Sequence, residues 1–70
     1  VDIGAAEYIH SQLIEQRTRG CAILMISEDL DEILGLADRI AVMFEGQVVT
    51  IIDRPEATKE QLGLAMTGAL

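Results

Sequence analysis

The sequence predicts an α/β fold: a layer of helices on a sheet with one parallel strand pair and an antiparallel edge, in the order helix, strand, helix, strand, strand, helix. Three observations carry this expectation. Residues 21–26 (Cys-Ala-Ile-Leu-Met-Ile) form an unbroken apolar run, too short for a typical helix and too uniform for a half-exposed strand, so a strand buried on both faces is expected. Thirteen residues separate Ile26 from Ile40, about the minimum that a parallel crossover through a helix requires. Two further extended stretches, 40–44 and 47–53, flank Glu45-Gly46, a two-residue reversal that reads as a hairpin.

Residues 4–19 read as the first helix. Ala6, Ile9, Leu13 and Gln16 make a stripe, widened by Ala5, Tyr8 and Ile14. Asp2 is placed to cap its start, and Gly20 to stop it. After the apolar run come Ser27, Glu28 and Asp29. Asp29 and Glu32 have capping-box spacing, which opens a helix carrying Leu30, Ile33, Leu34 and Ala37 on one side. Gly35 within it is expected to permit close packing on the sheet. Arg54-Pro55 breaks the last strand, and Thr58 with Gln61 caps a terminal helix whose apolar side is Leu62, Ala65 and Met66.

Composition narrows the function. The 70 residues hold 12 acidic and 5 basic side chains, a formal charge of −7, which argues against nucleic acid or an anionic membrane surface as the direct partner. Acidic and basic residues interrupt every apolar stretch before it reaches the ~18 residues of a transmembrane segment. The single cysteine, Cys21, allows no internal disulfide and no multi-cysteine metal site. It opens the apolar run, so it reads as a small hydrophobe, and Met25, Met43 and Met66 read as core filler. His10 has no second histidine or acid cluster beside it in sequence and reads as a surface or boundary residue.

A strand buried on both faces needs neighbours on both sides, and the chain offers residues 21–26 only one parallel partner. Such an open edge is normally paired or covered. The chain is therefore expected to be the tail of a larger α/β domain, and by itself to self-associate through this edge. In open α/β sheets ligands lie beyond the carboxyl ends of parallel strands, which directs attention to Ser27, Glu28 and Asp29. Ser27 and Asp29 read as caps and Glu28 as a solvated acid. The functional alternative is a polar shelf beside a phosphate or metal held by other sequence. Asp38-Arg39 reads as a structural clamp at a turn.

Taken in order, these residues resemble the C-terminal part of an ATP-binding cassette (ABC) domain, a P-loop NTPase. Val1-Asp2-Ile3-Gly4-Ala5 is similar to the D-loop. Ile26-Ser27-Glu28-Asp29-Leu30-Asp31-Glu32 resembles the switch-histidine region, and Leu36-Ala37-Asp38-Arg39-Ile40-Ala41-Val42-Met43 with Glu45-Gly46 resembles the closing strands. Ala57-Thr58-Lys59-Glu60-Gln61-Leu62-Gly63 with Met66-Thr67-Gly68 resembles the ending found in importers of simple sugars and nucleosides. The likeness covers essentially the whole chain, residues 1–70, with 54–70 as a terminal helical tail.

The resemblance implies a cytoplasmic ATPase subunit, peripheral to the inner face of the membrane. Such a subunit uses ATP and Mg²⁺ and works with a second cassette and transmembrane permease subunits. It implies an interface role near the opposite ATP site for Asp2, a place beside the γ-phosphate region for Ser27, and the switch-histidine position for Glu28. Glu28 departs from the pattern, since an ionised carboxylate only accepts hydrogen bonds where an imidazole donates. A degenerate site is expected, like that of the second cassette in tandem sugar-type and nucleoside-type importers. The phosphate loop, signature sequence and Walker B acids lie outside these residues, so the chain alone is expected to be non-catalytic and to hold no nucleotide. The alternative from another class is an autonomous acidic α/β interaction module without a nucleotide role. A receiver-like or metal-binding domain fits less well, because the clustered acids belong to a single strand end.

Overall fold

The computed structural model describes residues 3–69. Its elements are α1 (Ile3–Thr18), α2 (Leu30–Leu36), β1 (Arg39–Phe44), β2 (Gln47–Asp53), a 3-10 turn (Arg54–Glu56) and α3 (Lys59–Met66). Asp2, expected to cap α1, lies outside the described residues.

The hairpin forms as its sequence dictates. Glu45 and Gly46 both take positive φ, 49° and 78°. This two-residue pattern has a twist that matches the right-handed twist of the flanking strands. Phe44 then pairs with Gln47, and Ile40 with Ile52. Between Val42 and Met43 the register shifts from Thr50 to Val48, leaving Val49 as the extra residue of a bulge.

One face of the hairpin is the core. Ile40, Val42 and Ile52 point inward and are covered by Ala57 with Leu62 and Ala65 of α3. Leu30, Ile33, Leu34 and Ala37 pack against the same cluster. Ala65 is fully buried and Leu62 is 1% exposed. An alanine at this contact lets α3 approach β1 closely, and leucine fills the space beside it. Thr58 caps α3 by accepting from the Gln61 amide at 3.1 Å. Beyond α3, Gly68 (φ 77°) lies so near the Phe44 ring that a Cβ there would stand 2.6 Å from Cε1. Arg54 fastens the connection: its Nε donates to the Leu34 carbonyl at 2.5 Å, and its backbone amide donates to the Asp38 carbonyl at 2.9 Å.

The helix ends follow their local chemistry. Gly20 takes φ 94°, the left-handed turn that closes α1. The Cys21 amide reaches back to the Gln16 carbonyl at 3.0 Å, and the Gly20 amide to that of Arg17 at 2.9 Å, satisfying carbonyls the helix leaves open. Asp29 caps α2 by accepting from the amides of Asp31 and Glu32 at 3.0 and 3.2 Å. The reciprocal half of the expected capping box is replaced. The Asp29 amide donates to Ser27 Oγ at 3.0 Å, and the Glu32 side chain turns elsewhere.

Several expectations need correction. Residues 21–26 form no strand and no parallel pair with β1; the sheet of the described residues has only β1 and β2. A strand is held by its neighbours' backbone groups and by apolar cover on its faces, and this run has neither, with Leu24 and Ile26 91% and 92% exposed. Cys21 is exposed rather than buried, and Met43 and Met66 are exposed rather than core. On α1 the half-buried line is Ala6, His10, Leu13 and Gln16, so His10 takes the inward place expected of Ile9. Gly35 packs closely against nothing: a Cβ there would meet no atom within 4 Å.

Candidate functional site

The turn at residues 27–29 joins the apolar run to the start of α2. Ser27 is half-buried, with its hydroxyl accepting from the Asp29 amide, and Asp29 is committed to the helix cap. Glu28 is exposed, and none of the described side chains engages its carboxylate. The cap reading of Asp29 is thus realised, whereas Ser27 binds the amide of the cap residue and no amide of the helix. The same turn leaves Glu28 as the one projecting acid of the three.

Glu28 stands at the rim of a cleft of about 890 Å³ that separates the apolar run from β1. Ile23, Leu24 and Ile26 of the run and Ile40, Val42 and Met43 of β1 are among its lining residues. These two segments are the ones the sequence predicts to be neighbouring strands. No ladder hydrogen bonds join them.

A second polar connection lies behind the turn. His10 Nε2 and Glu32 Oε2 are 2.6 Å apart, joining α1 to the first turn of α2. The neighbouring Ser27 hydroxyl and the hydrogen-bonded His10 favour the charged Glu32 carboxylate and hold its pKa below the usual glutamate range. Farther along, Arg17 Nη1 donates to the Leu36 carbonyl at 3.3 Å and lies 3.5 Å from Asp38 Oδ1. A cation beside the carbonyl end of a helix is favourably placed.

A triphosphate needs free cations or converging amides. All five basic side chains of the chain are occupied. Arg17 meets Asp38, Arg19 meets Glu15, Arg39 meets Asp53 and Lys59 meets Asp31; Arg54 is taken by the carbonyls of Leu34 and Ala57. Asp31 hydrogen-bonds Lys59 at 2.9 Å and lifts its pKa above the ordinary lysine value. No group of three or more metal-ligating side chains occurs among the described residues. Each basic side chain thus already has an acidic or carbonyl partner within the described residues. Asp2, the other site residue implied by resemblance, lies outside the described residues, so Ser27 and Glu28 are the two that the structure places together.

Sequence reading missed the His10–Glu32 pair and the Arg54 clasp. The partners are 22 and 20 residues apart, and no local pattern signals such contacts.

Comparison with known proteins gives the class first. Essentially the whole chain is similar to a segment of ATP-binding proteins of nucleoside and sugar import. Among the relatives is a guanosine import ATP-binding protein of Bacillus subtilis, 48% identical over 69 residues, covering 99% of this chain and 14% of the relative. A nucleoside import ATP-binding protein of Lactococcus lactis subsp. cremoris is 50% identical over 68 residues, covering 97% of this chain and 13% of the relative. A ribose import ATP-binding protein of Lactococcus lactis subsp. lactis is 50% identical over 68 residues, covering 97% and 14%. The chain therefore spans about one seventh of the length of the curated relatives it matches. No family model matches it, and no solved structure does. Among the described residues no helix is long and apolar enough to cross a membrane.

Proposed function

We propose that residues 1–70 are the closing part of one ATP-binding cassette in a subunit that powers import of a small solute, a simple sugar or a nucleoside. The observation that carries this reading is the near-50% identity, along the entire chain, to ATP-binding proteins of nucleoside and ribose import. In this reading the subunit sits on the cytoplasmic face of the membrane, against transmembrane permease subunits and a second cassette. The permease and its binding protein select the solute, and the cassette supplies the driving force.

The physical chemistry of the chain supports the division of labour. Each basic side chain has a partner within the described residues, which supports a phosphate cradle built from residues outside 1–70. The apolar cleft and the unpaired run beside it need cover from other strands of the same domain, and without them the chain self-associates through that face. Position 28 belongs to the cassette's switch turn, where Glu28 makes the site a degenerate one.

Calorimetry with Mg-ATP tests the proposal. The whole protein binds with a dissociation constant in the usual micromolar-to-millimolar range of cellular substrates, about 1 μM to 1 mM, and the isolated 70-residue chain gives no heat of micromolar binding. Micromolar binding by the isolated chain would overturn the division of labour. Absence of binding by the whole protein would overturn the cassette reading itself.

A further inference from the structure

The geometry points to His10 as a positioning residue: through Glu32 it fixes the switch turn, so that a shift of α1 is transmitted to position 28. This rests on the cassette reading for its function, though not for its structural content. We infer it from three contacts in series. His10 Nε2 meets Glu32 Oε2 at 2.6 Å; Glu32 stands on the first turn of α2, its amide held by Asp29 Oδ1 at 3.2 Å; and the Asp29 amide is bound by Ser27 Oγ at 3.0 Å. Glu28 lies between the two residues of that last contact. It has no tie of its own among the described side chains, so its direction is set by its neighbours.

The His10–Glu32 contact spans two helices rather than neighbouring turns of one. Both side chains are about 30% exposed (30% and 28%), so water screens the pair only partly. The second attachment of α1, Arg17 to Leu36 and Asp38, grips the far end of α2. The two attachments make α1 and α2 move as a pair. Only the His10 end bears on the switch turn. A neutral imidazole carrying its proton on Nε2 donates to the carboxylate as an imidazolium does, and a glutamine side chain can place an amide N–H at the corresponding position. A methyl group cannot.

The test uses the whole protein with His10→Ala, His10→Gln and, as a control at the opposite end, Arg17→Ala. Hydrogen exchange at the amides of Asp29, Asp31 and Glu32 is expected to accelerate at least about threefold in His10→Ala, the scale of a partly exposed ion pair. His10→Gln should restore it, and Arg17→Ala should leave these amides unchanged. The same His10→Ala protein should change its Mg-ATP dissociation constant by about threefold, with recovery in His10→Gln. Unchanged exchange at the three amides in His10→Ala overturns the positioning role. So does altered exchange with nucleotide affinity unmoved in a protein that binds Mg-ATP, because the turn would then carry nothing to the site. If the wild-type protein binds no Mg-ATP, the cassette reading fails instead, and the exchange result alone decides whether His10 holds the turn.

Discussion

Replacing Glu28 by His in the whole protein is expected to raise ATP turnover about tenfold, because the new side chain can donate where the old one can only accept. Glu28 projects from the turn with no partner among the described side chains, so the exchange disturbs neither the Ser27 contact nor the Asp29 cap. Near a polyanion, an ionised carboxylate adds repulsion unless a cation or a proton intervenes. Catalysis of phosphoryl transfer depends on positioning and on neutralising charge, and Glu28 supplies neither. Removing a single well-placed donor from an enzyme site costs roughly 10²–10³ in rate. A graft into a site that lacks the matching surroundings recovers only part of that. Steady-state hydrolysis is the measurement, with Glu28→Gln separating loss of charge from gain of a donor. A large fall in turnover for Glu28→His would contradict the degenerate-site reading.

The largest structural effect is expected at Leu62. It is the one large side chain among the described residues that is almost wholly buried, at 1% exposure, and it projects from α3 into the core cluster of the hairpin. Leu62→Ala should cost about 2–5 kcal/mol, the transfer cost of the lost carbons plus the cavity they leave. The cluster it belongs to is small, six buried residues with itself included and only partly buried side chains packed against them, so little can close over the gap. Native-state exchange of α3, β1 and β2 amides in the whole protein should show the loss as a common drop in protection. Leu62→Met conserves volume and should cost less than about 1.5 kcal/mol. If both variants are equally mild, the packing of α3 on the hairpin is not the fastening that the burial implies.

Legibility in the sequence followed the range of the interaction. The hairpin was readable because Glu45-Gly46 determines its own backbone, and the caps at Asp29 and Thr58 because each acts within three residues. The inward side of α3 was readable from period at Leu62 and Ala65, though Met66, placed on the same side, is exposed. The run at 21–26 was readable only in part. Its composition suits a central strand, but a strand is a property of its neighbours, and the sheet of the described residues holds only the hairpin pair. Leu24 and Ile26 are exposed for the same reason that they look buried on paper.

At the candidate site the same division holds. Asp29 declares itself as a cap through its position before a helix, and the structure gives it that bond, while Ser27 binds the amide of the cap residue instead. Glu28 acquires meaning only by resemblance, since an exposed acid in a turn has no local signature. His10 is indistinguishable from a solvated histidine until α1 and α2 are set side by side. Glu32, expected to reach back to its own cap, is instead the acceptor for His10.

The most direct test of the central claim is hydrogen exchange across residues 22–26 in the whole protein. If this run is an interior strand whose partners come from the remainder of the cassette, its amides should be protected as strongly as those of β1, by several orders of magnitude over an open chain. Exchange at open-chain rates in the intact protein would show that nothing pairs with the run, and the cassette account of residues 1–70 would not stand.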